Sequence, residues 1–297
     1  VRTRHEHTMS DARIMILGGS GFIGRHLVMY LFKNKLASKV LIADKVLYQI
    51  AGLSKEELAV YENKDFVTFK QADIGNPASV TALFEHDGGN WKYVINLTAS
   101  TKYSQGKEVY DANIVNTAKN AAEEAAKNNV ARFVHVSTAQ VYAAGKKPSA
   151  EDAKLKPWTA IAEAHLTAEG HVTGTANLNY VIVRPSIVYG TGDIYGLTPR
   201  LIVGSIYKET GKKQESLYTS GLRLNTVHAD DVAKALHFLL TNGESGQIFN
   251  LADSNDTDQG KVNALLEQIY GIKTAFVSAL KMKAASTLGT SYLVGFA

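Results

Sequence analysis

The sequence predicts an α/β protein in which a doubly wound parallel sheet is followed by a smaller C-terminal α/β lobe. Two observations carry the prediction. Apolar runs of strand length alternate with helix-compatible segments through the first two thirds of the 297 residues, and these runs are continuous rather than alternating, as strands buried on both faces are. The first run also leads straight into a glycine-rich turn that opens a helix.

In chain order the strands are RIMILGG from Arg13, KVLIAD from Lys39, FVTFKQAD from Phe66, YVINLTA from Tyr93, RFVHVST from Arg132 and YVIVRPS from Tyr180. The clearest helix is 109–128, rich in alanine, with apolar residues at three- and four-residue steps. After Pro185 the pattern loosens into glycine-rich loops. It then gives a strand in RLNTV, a helix in DDVAKALHFLL, a strand in QIFNLA and a helix in GKVNALLEQIYG. The expected organisation is a flexible flank at 1–11, a nucleotide-binding domain at 12–185 and a smaller lobe at 186–297 interleaved with the first.

Composition narrows the function classes. The chain has no cysteine, so disulfides, thiolate metal sites and a cysteine nucleophile are excluded, and no metal site is expected. The net charge of +4 comes from dispersed Lys and Arg without a basic stripe carrying interleaved aromatics, which argues against a nucleic-acid partner. The longest uncharged stretch, 284–297, is too short to span a bilayer, so no transmembrane segment is expected; its apolar end suggests docking or a longer chain. VRTRHEHT, before Met9, lacks the apolar run of a secretory signal, and an intracellular setting, cytoplasmic or organellar, is expected.

The turn GGSGFIG supplies Gly18, Gly21 and Gly24 at the opening of a helix near Phe22. Gly18 permits the tight turn, Gly21 lets the backbone approach a pyrophosphate lying over Ser20, Phe22 and Ile23, and Gly24 lets helix and strand pack closely. Asp44, at the end of the second strand, lies twenty residues after Gly24, where a carboxylate accepts hydrogen bonds from ribose hydroxyls and repels a 2′-phosphate. A Rossmann-type site for NAD is therefore expected. Arg25 and Lys45 leave NADP open, since either cation can partner a phosphate. Asp73-Ile74, at the end of the third strand, suits either an adenine site, with the carboxylate on the amino group and Ile74 against the ring, or a helix cap before Pro77.

Together with NLTAS (Leu97, Thr98, Ala99), ANIVNT with Asn113, VHVSTAQVY, RPSIVYGTGD and TVHADDVAKAL, these motifs resemble the extended short-chain dehydrogenases/reductases over roughly residues 12–270. That family includes NAD-dependent epimerase/dehydratases and 3β-hydroxysteroid dehydrogenases. The resemblance implies a cofactor contacted by Leu97, Thr98, Ala99 and Asn113, with Pro185 and Ser186 beside its carboxamide. It also implies a tyrosine that moves the substrate proton, a lysine one helical turn on, and a Ser or Thr holding the substrate oxygen. Thr138 matches the Ser/Thr. Aligning PWT and LTAE on the family helix puts Ile161 at the tyrosine and His165 at the lysine, on one helix face. Isoleucine has no ionisable proton, and loss of a positioned acid/base forfeits about 10²–10⁴ in rate. His165 is read either as a ribose ligand or displaced acid, or as a partly exposed histidine pairing with Glu169.

Two literal Y-x-x-x-K pairs, Tyr103 with Lys107 and Tyr142 with Lys146, follow strands and carry a glycine before the lysine, so neither is expected on one continuous helix. Lys102, Tyr103 and Tyr142 are expected to line the pocket, since loops after parallel strands converge on the ligand crevice. Arg223 stands where sugar-nucleotide relatives keep an arginine for pyrophosphate; a surface ion pair is the other reading. The favoured function is a dinucleotide-binding relative without the proton relay, serving as an accessory subunit of a larger complex, a homodimer or a cofactor sensor. The alternative is an active oxidoreductase or epimerase with a relocated acid: His165, Tyr103 or Tyr142.

Overall fold

The computed structural model describes residues 11–145 and 148–278. The elements run β1 (Arg13–Leu17), α1 (Phe22–Lys33), β2 (Lys39–Asp44), α2 (Lys55–Tyr61), β3 (Val67–Gln71), α3 (Pro77–Glu85), β4 (Tyr93–Asn96), α4 (Lys107–Tyr110), α5 (Asn116–Lys127), β5 (Arg132–Val136), α6 (Ala160–Gly174) and β6 (Tyr180–Pro185). There follow β7 (Ile187–Tyr189), α7 (Thr198–Thr210), β8 (Gln214–Leu217), β9 (Thr226–His228), α8 (Ala229–Phe238), β10 (Ile248–Leu251), α9 (Gln259–Tyr270) and β11 (Thr274–Val277). The tail 284–297 and most of the N-terminal flank lie outside the described residues.

The chain divides into two compact units. The larger, residues 1–185 and 229–251, is built on a seven-stranded parallel sheet of order β10-β6-β5-β4-β1-β2-β3. The order reverses between β1 and β4, and a crevice opens at the carboxyl ends of strands at such a switch point. The strand residues form one apolar cluster with α3, α5 and α6, and Ala118, Ala121, Ala122 and Ala125 give α5 the small face that lets it lie close. The doubly wound sheet expected from the sequence is thus observed.

Two details differ from the sequence reading. QIFNLA, expected in the smaller lobe, is the edge strand β10, paired in parallel with Ile182–Pro185, and α8 packs on α1 in the same unit. The helix expected at 109–128 begins at Lys107 and contains a π-turn at Asp111–Val115, a widened turn of the kind that clusters at functional positions.

The smaller unit, residues 186–228 and 252–297, contains the parallel pairs β7–β9 and β8–β11. Leu224, Val262 and Leu266 form its core, and Gly204 brings α7 against the Tyr270 ring of α9.

Candidate functional site

The turn after β1 is pressed against the chain leaving β4. Gly18 has φ +80°, and a Cβ there would lie 3.0 Å from the Leu97 carbonyl and the Thr98 nitrogen. Gly24 seats α1 on the turn, since its Cβ would stand 2.5 Å from the Gly19 oxygen. Gly21, exposed at the N-cap of α1, would meet only the Gly18 oxygen at 3.2 Å, so the outer face of the turn is open. No side chain caps α1 and no acid sits in its first turn, leaving its amides and dipole facing that space. Phe22 and Ile23 are half-buried there, and the buried Ser20 Oγ finds no hydrogen-bond partner among the described residues. From below, the buried Tyr61 hydroxyl donates to the Gly19 carbonyl at 2.6 Å.

Asp44 ends β2 half-buried, its carboxylate accepting from the amides of Ser20 and Val46, each at 3.0 Å. Burial raises its pKa and outweighs the backbone hydrogen bonds that lower it. Lys45 Nζ donates to Asp73 Oδ1 and Asn113 Oδ1, each at 2.9 Å. Burial opposes the charge on Asp73, but Lys45 and the Gly75 amide outweigh it and hold its pKa below the usual carboxylate range. Arg25 donates to the carbonyls of Ala51 and Gly52. Both cations that left NADP open are therefore engaged within the protein. The cap of α3 is Asn76 rather than Asp73. Ile74, at 2% exposure, is sealed in the core, so its side chain has no free surface to lay against a ring.

At the end of β4, Leu97 N donates to the Leu17 carbonyl at 2.8 Å, Thr98 donates from both N and Oγ1 to Asn96 Oδ1, and Ala99 is exposed. Thr138 follows β5 and caps the short turn Ala139–Val141. Lys102 and Tyr103 are exposed, and the Tyr103 hydroxyl accepts from Gln140 Nε2 at 3.1 Å. Ser104 at φ +59° breaks the chain before α4, so Tyr103 and Lys107 share no helix, while Lys146 lies outside the described residues. In the smaller unit the Ser186 Oγ is buried without a partner among the described residues, and Arg223 is exposed and paired with Asp256.

A model of the NAD dependent epimerase/dehydratase family matches residues 14–252. The chain belongs to that family. The dTDP-glucose 4,6-dehydratase of Salmonella typhimurium is 28% identical over 269 residues, spanning 82% of this chain and 73% of that one. The human dTDP-D-glucose 4,6-dehydratase is 28% identical over 250 residues, spanning 80% and 68%. Among solved structures, UDP-glucuronic acid 4-epimerase from Bacillus cereus, in complex with UDP-glucuronic acid and NAD, superposes with TM-score 0.75 at 20% identity, covering 95% of this chain and 94% of the other. The dTDP-glucose 4,6-dehydratase from Bacillus anthracis, in complex with NAD, gives TM-score 0.73 at 19% identity, covering 90% and 85%. At these identities the structural likeness is one of fold.

In this member of the family, the stretch that carries Ile161 and His165 is α6, opened by Thr159, whose Oγ1 accepts from Ala162 N. Ile161, 8% exposed, packs in the core cluster. His165, 6% exposed, is not the partly exposed, Glu169-paired residue that one reading expected: it is buried, and its Nδ1 has no partner among the described residues. Burial, reinforced by nearby His135, pushes its pKa down to about 3, and burial alone pushes His135 down to about 4, so both are neutral at pH 7. Glu169 turns instead to Arg184, with Nε–Oε1 at 2.9 Å and Nη2–Oε2 at 2.5 Å, and accepts from Ser137 Oγ at 2.5 Å. Arg184 also donates to the Tyr142 hydroxyl at 2.7 Å, and that hydroxyl donates to Asn250 Oδ1 at 2.8 Å. Tyr142 is therefore buried and committed at both ends of its hydroxyl, a member of this network rather than a free acid. Sequence reading missed the network. Its one signal was an arginine inside the otherwise apolar strand YVIVRP.

Proposed function

We propose that this chain binds NAD as a resident dinucleotide and does not turn over, acting through the bound state as a structural subunit or cofactor sensor. The observation that carries the reading is the pairing of an open, uncapped glycine turn with an α6 whose two relay positions hold a core isoleucine and a buried neutral histidine.

The residues present fit the group. The amides of Phe22 and Ile23, the orphaned Ser20 Oγ and the α1 dipole suit a pyrophosphate, and Asp44 suits the adenosine ribose. Asp73, Leu97, Thr98, Ala99, Asn113 and Pro185 are the further candidates around it. With Arg25 and Lys45 engaged elsewhere, Asp44 sets a preference for the cofactor lacking the 2′-phosphate. NAD when bound supplies a hydride acceptor, but Ile161 has no proton to move and His165 is held neutral by burial. A ligand present at a hundred times its Kd still stabilises the fold by about 2.7 kcal/mol, which suffices for a structural role.

Calorimetry tests the binding half: Gly21→Asp sets a carboxylate against the phosphates and abolishes NAD binding on this reading, and parent-like affinity in the variant refutes the site. A second reading is supported by Tyr103, which is 55% exposed with its hydroxyl oriented by Gln140 on the turn that Thr138 caps. On it, Tyr103 is the relocated acid, and the relatives' names suggest a sugar nucleotide as substrate. Turnover of dTDP-glucose or UDP-glucuronic acid by the parent, lost in Tyr103→Phe, decides for it.

A further inference from the structure

Leaving α8, the chain turns back toward β10 through Thr241, Asn242, Gly243 and Glu244, all exposed. The turn requires its glycine: Gly243 has φ +84°, and a Cβ there would stand 3.0 Å from the Phe249 ring. The same glycine makes the preceding asparagine reactive, because no side chain shields its amide nitrogen from the Asn242 carboxamide. That nitrogen donates to no acceptor among the described residues. Asn242 Nδ2 donates to the Phe238 carbonyl at 2.8 Å and to Thr241 Oγ1 at 3.2 Å, both bonds lying at the exposed surface, where water replaces them readily.

What sets this Asn-Gly pair apart lies beneath it. Arg132, the first residue of β5 and 7% exposed, donates from Nη2 to the Gly243 carbonyl at 2.8 Å. Its Nε and Nη1 are buried without a hydrogen-bond partner, and no carboxylate pairs with it among the described residues. Glu244, the next residue along the turn, is exposed and makes no ion pair with it. A guanidinium keeps its proton at every working pH, so this charge bears on the Gly243 residue through a partly buried contact, where salt screens weakly. A nearby cation favours the deprotonated form of an acid. The weak acid here is the Gly243 N–H, and its anion is the nucleophile that expels an asparagine side-chain amide.

We propose that Asn242 is a self-modification site, converted to aspartate and isoaspartate by the Gly243 nitrogen, and that Arg132 promotes the step. Hydroxide removes the Gly243 amide proton, the nitrogen attacks Asn242 Cγ, and the new C–N bond closes a five-membered imide. The Cγ–Nδ2 bond breaks, and Nδ2 leaves as ammonia with a proton returned by water. A water molecule then opens the imide at either carbonyl, giving aspartate or, with the chain rerouted through Cβ and Cγ, isoaspartate. One water is consumed and one ammonia released, with no oxidant or cofactor. The site rests on nothing assigned to the dinucleotide turn.

The test is peptide mapping by mass spectrometry of the full chain, held at neutral and at mildly alkaline pH beside a synthetic peptide of residues 239–247. The folded chain is expected to show the mass gain of amide-to-acid conversion at Asn242, as both products, with ammonia released and a rate that rises with pH and equals or exceeds that of the peptide. Arg132→Met is expected to slow the conversion by at least about tenfold, since one unit in the pKa of the amide changes the reactive anion tenfold. Arg132→Lys, which keeps the charge, is expected to stay closer to the parent. The proposal is overturned if the folded chain converts more slowly than the peptide, a comparison that needs no variant to fold. It is equally overturned if Arg132→Met, folded by circular dichroism, converts at the parent's rate.

Discussion

His165 and His135 make stability depend on pH in a way the structure sizes. Both are buried and neutral when folded, with pKa values pushed down to about 3 and about 4, against about 6.5 for a histidine in the unfolded chain. Between the unfolded and folded values the unfolded chain binds more protons, so stability is full above pH 6.5 and is lost as pH falls toward the folded pKa values. Each histidine contributes a slope of about 1.36 kcal/mol per pH unit, hence about 2 kcal/mol between pH 6.5 and 5 and about 4 for the pair. Urea unfolding of the parent and of His165→Leu across pH 5–7.5 isolates one share, because other titrating groups cancel in the difference. The variant is expected to lose about half of the pair's pH dependence with an unchanged m-value. Parallel pH curves for the two proteins refute the burial argument and return His165 to the pool of available acids.

The other predictions concern the same unit. Glu169→Gln leaves Arg184 buried without its counter-charge and should cost about 3–5 kcal/mol in urea unfolding, whereas Tyr142→Phe should cost about 1 kcal/mol. Gly24→Ala drives a methyl group into the Gly19 carbonyl and should destabilise by about 1–3 kcal/mol, with weaker NAD binding by calorimetry. Asp44→Asn removes the negative charge at the end of β2 and should narrow the preference for NAD over NADP, read as the ratio of the two dissociation constants.

What the sequence made legible was whatever is written locally. Strands buried on both faces are continuous runs of Val, Ile and Leu, and a glycine turn between strand and helix has few other uses, so β1 to β6 and the cradle could be read directly. Partnership at a distance could not. QIFNLA says strand but not which sheet, and it joins the larger unit only because β6 offers it a free edge. Helical spacing put Ile161 and His165 on one face of α6 but not against the core, since an alanine-rich helix with small residues around most of its circumference hides which side is packed. Glu169, read as the partner of His165 because it lies one turn away, is drawn instead to a guanidinium fifteen residues on in sequence, where a bidentate, buried geometry outcompetes a histidine held neutral. Asp73-Ile74 suits an adenine site or a helix cap by its place after β3; the cap falls to Asn76, and Ile74 packs in the core.

The central claim, a bound dinucleotide with no proton relay, is tested most directly by one experiment: the chain loaded with stoichiometric NAD, mixed with dTDP-glucose, UDP-glucuronic acid or a hydroxysteroid, and followed by the absorbance of reduced nicotinamide. The Ile161→Tyr/His165→Lys double variant runs beside the parent. The account predicts bound NAD and no reduced nicotinamide in the parent, with measurable reduction in the double variant where the rest of the pocket is intact. Reduction by the parent, at a rate that His165→Ala or Tyr103→Phe abolishes, contradicts it and makes that residue the catalytic acid.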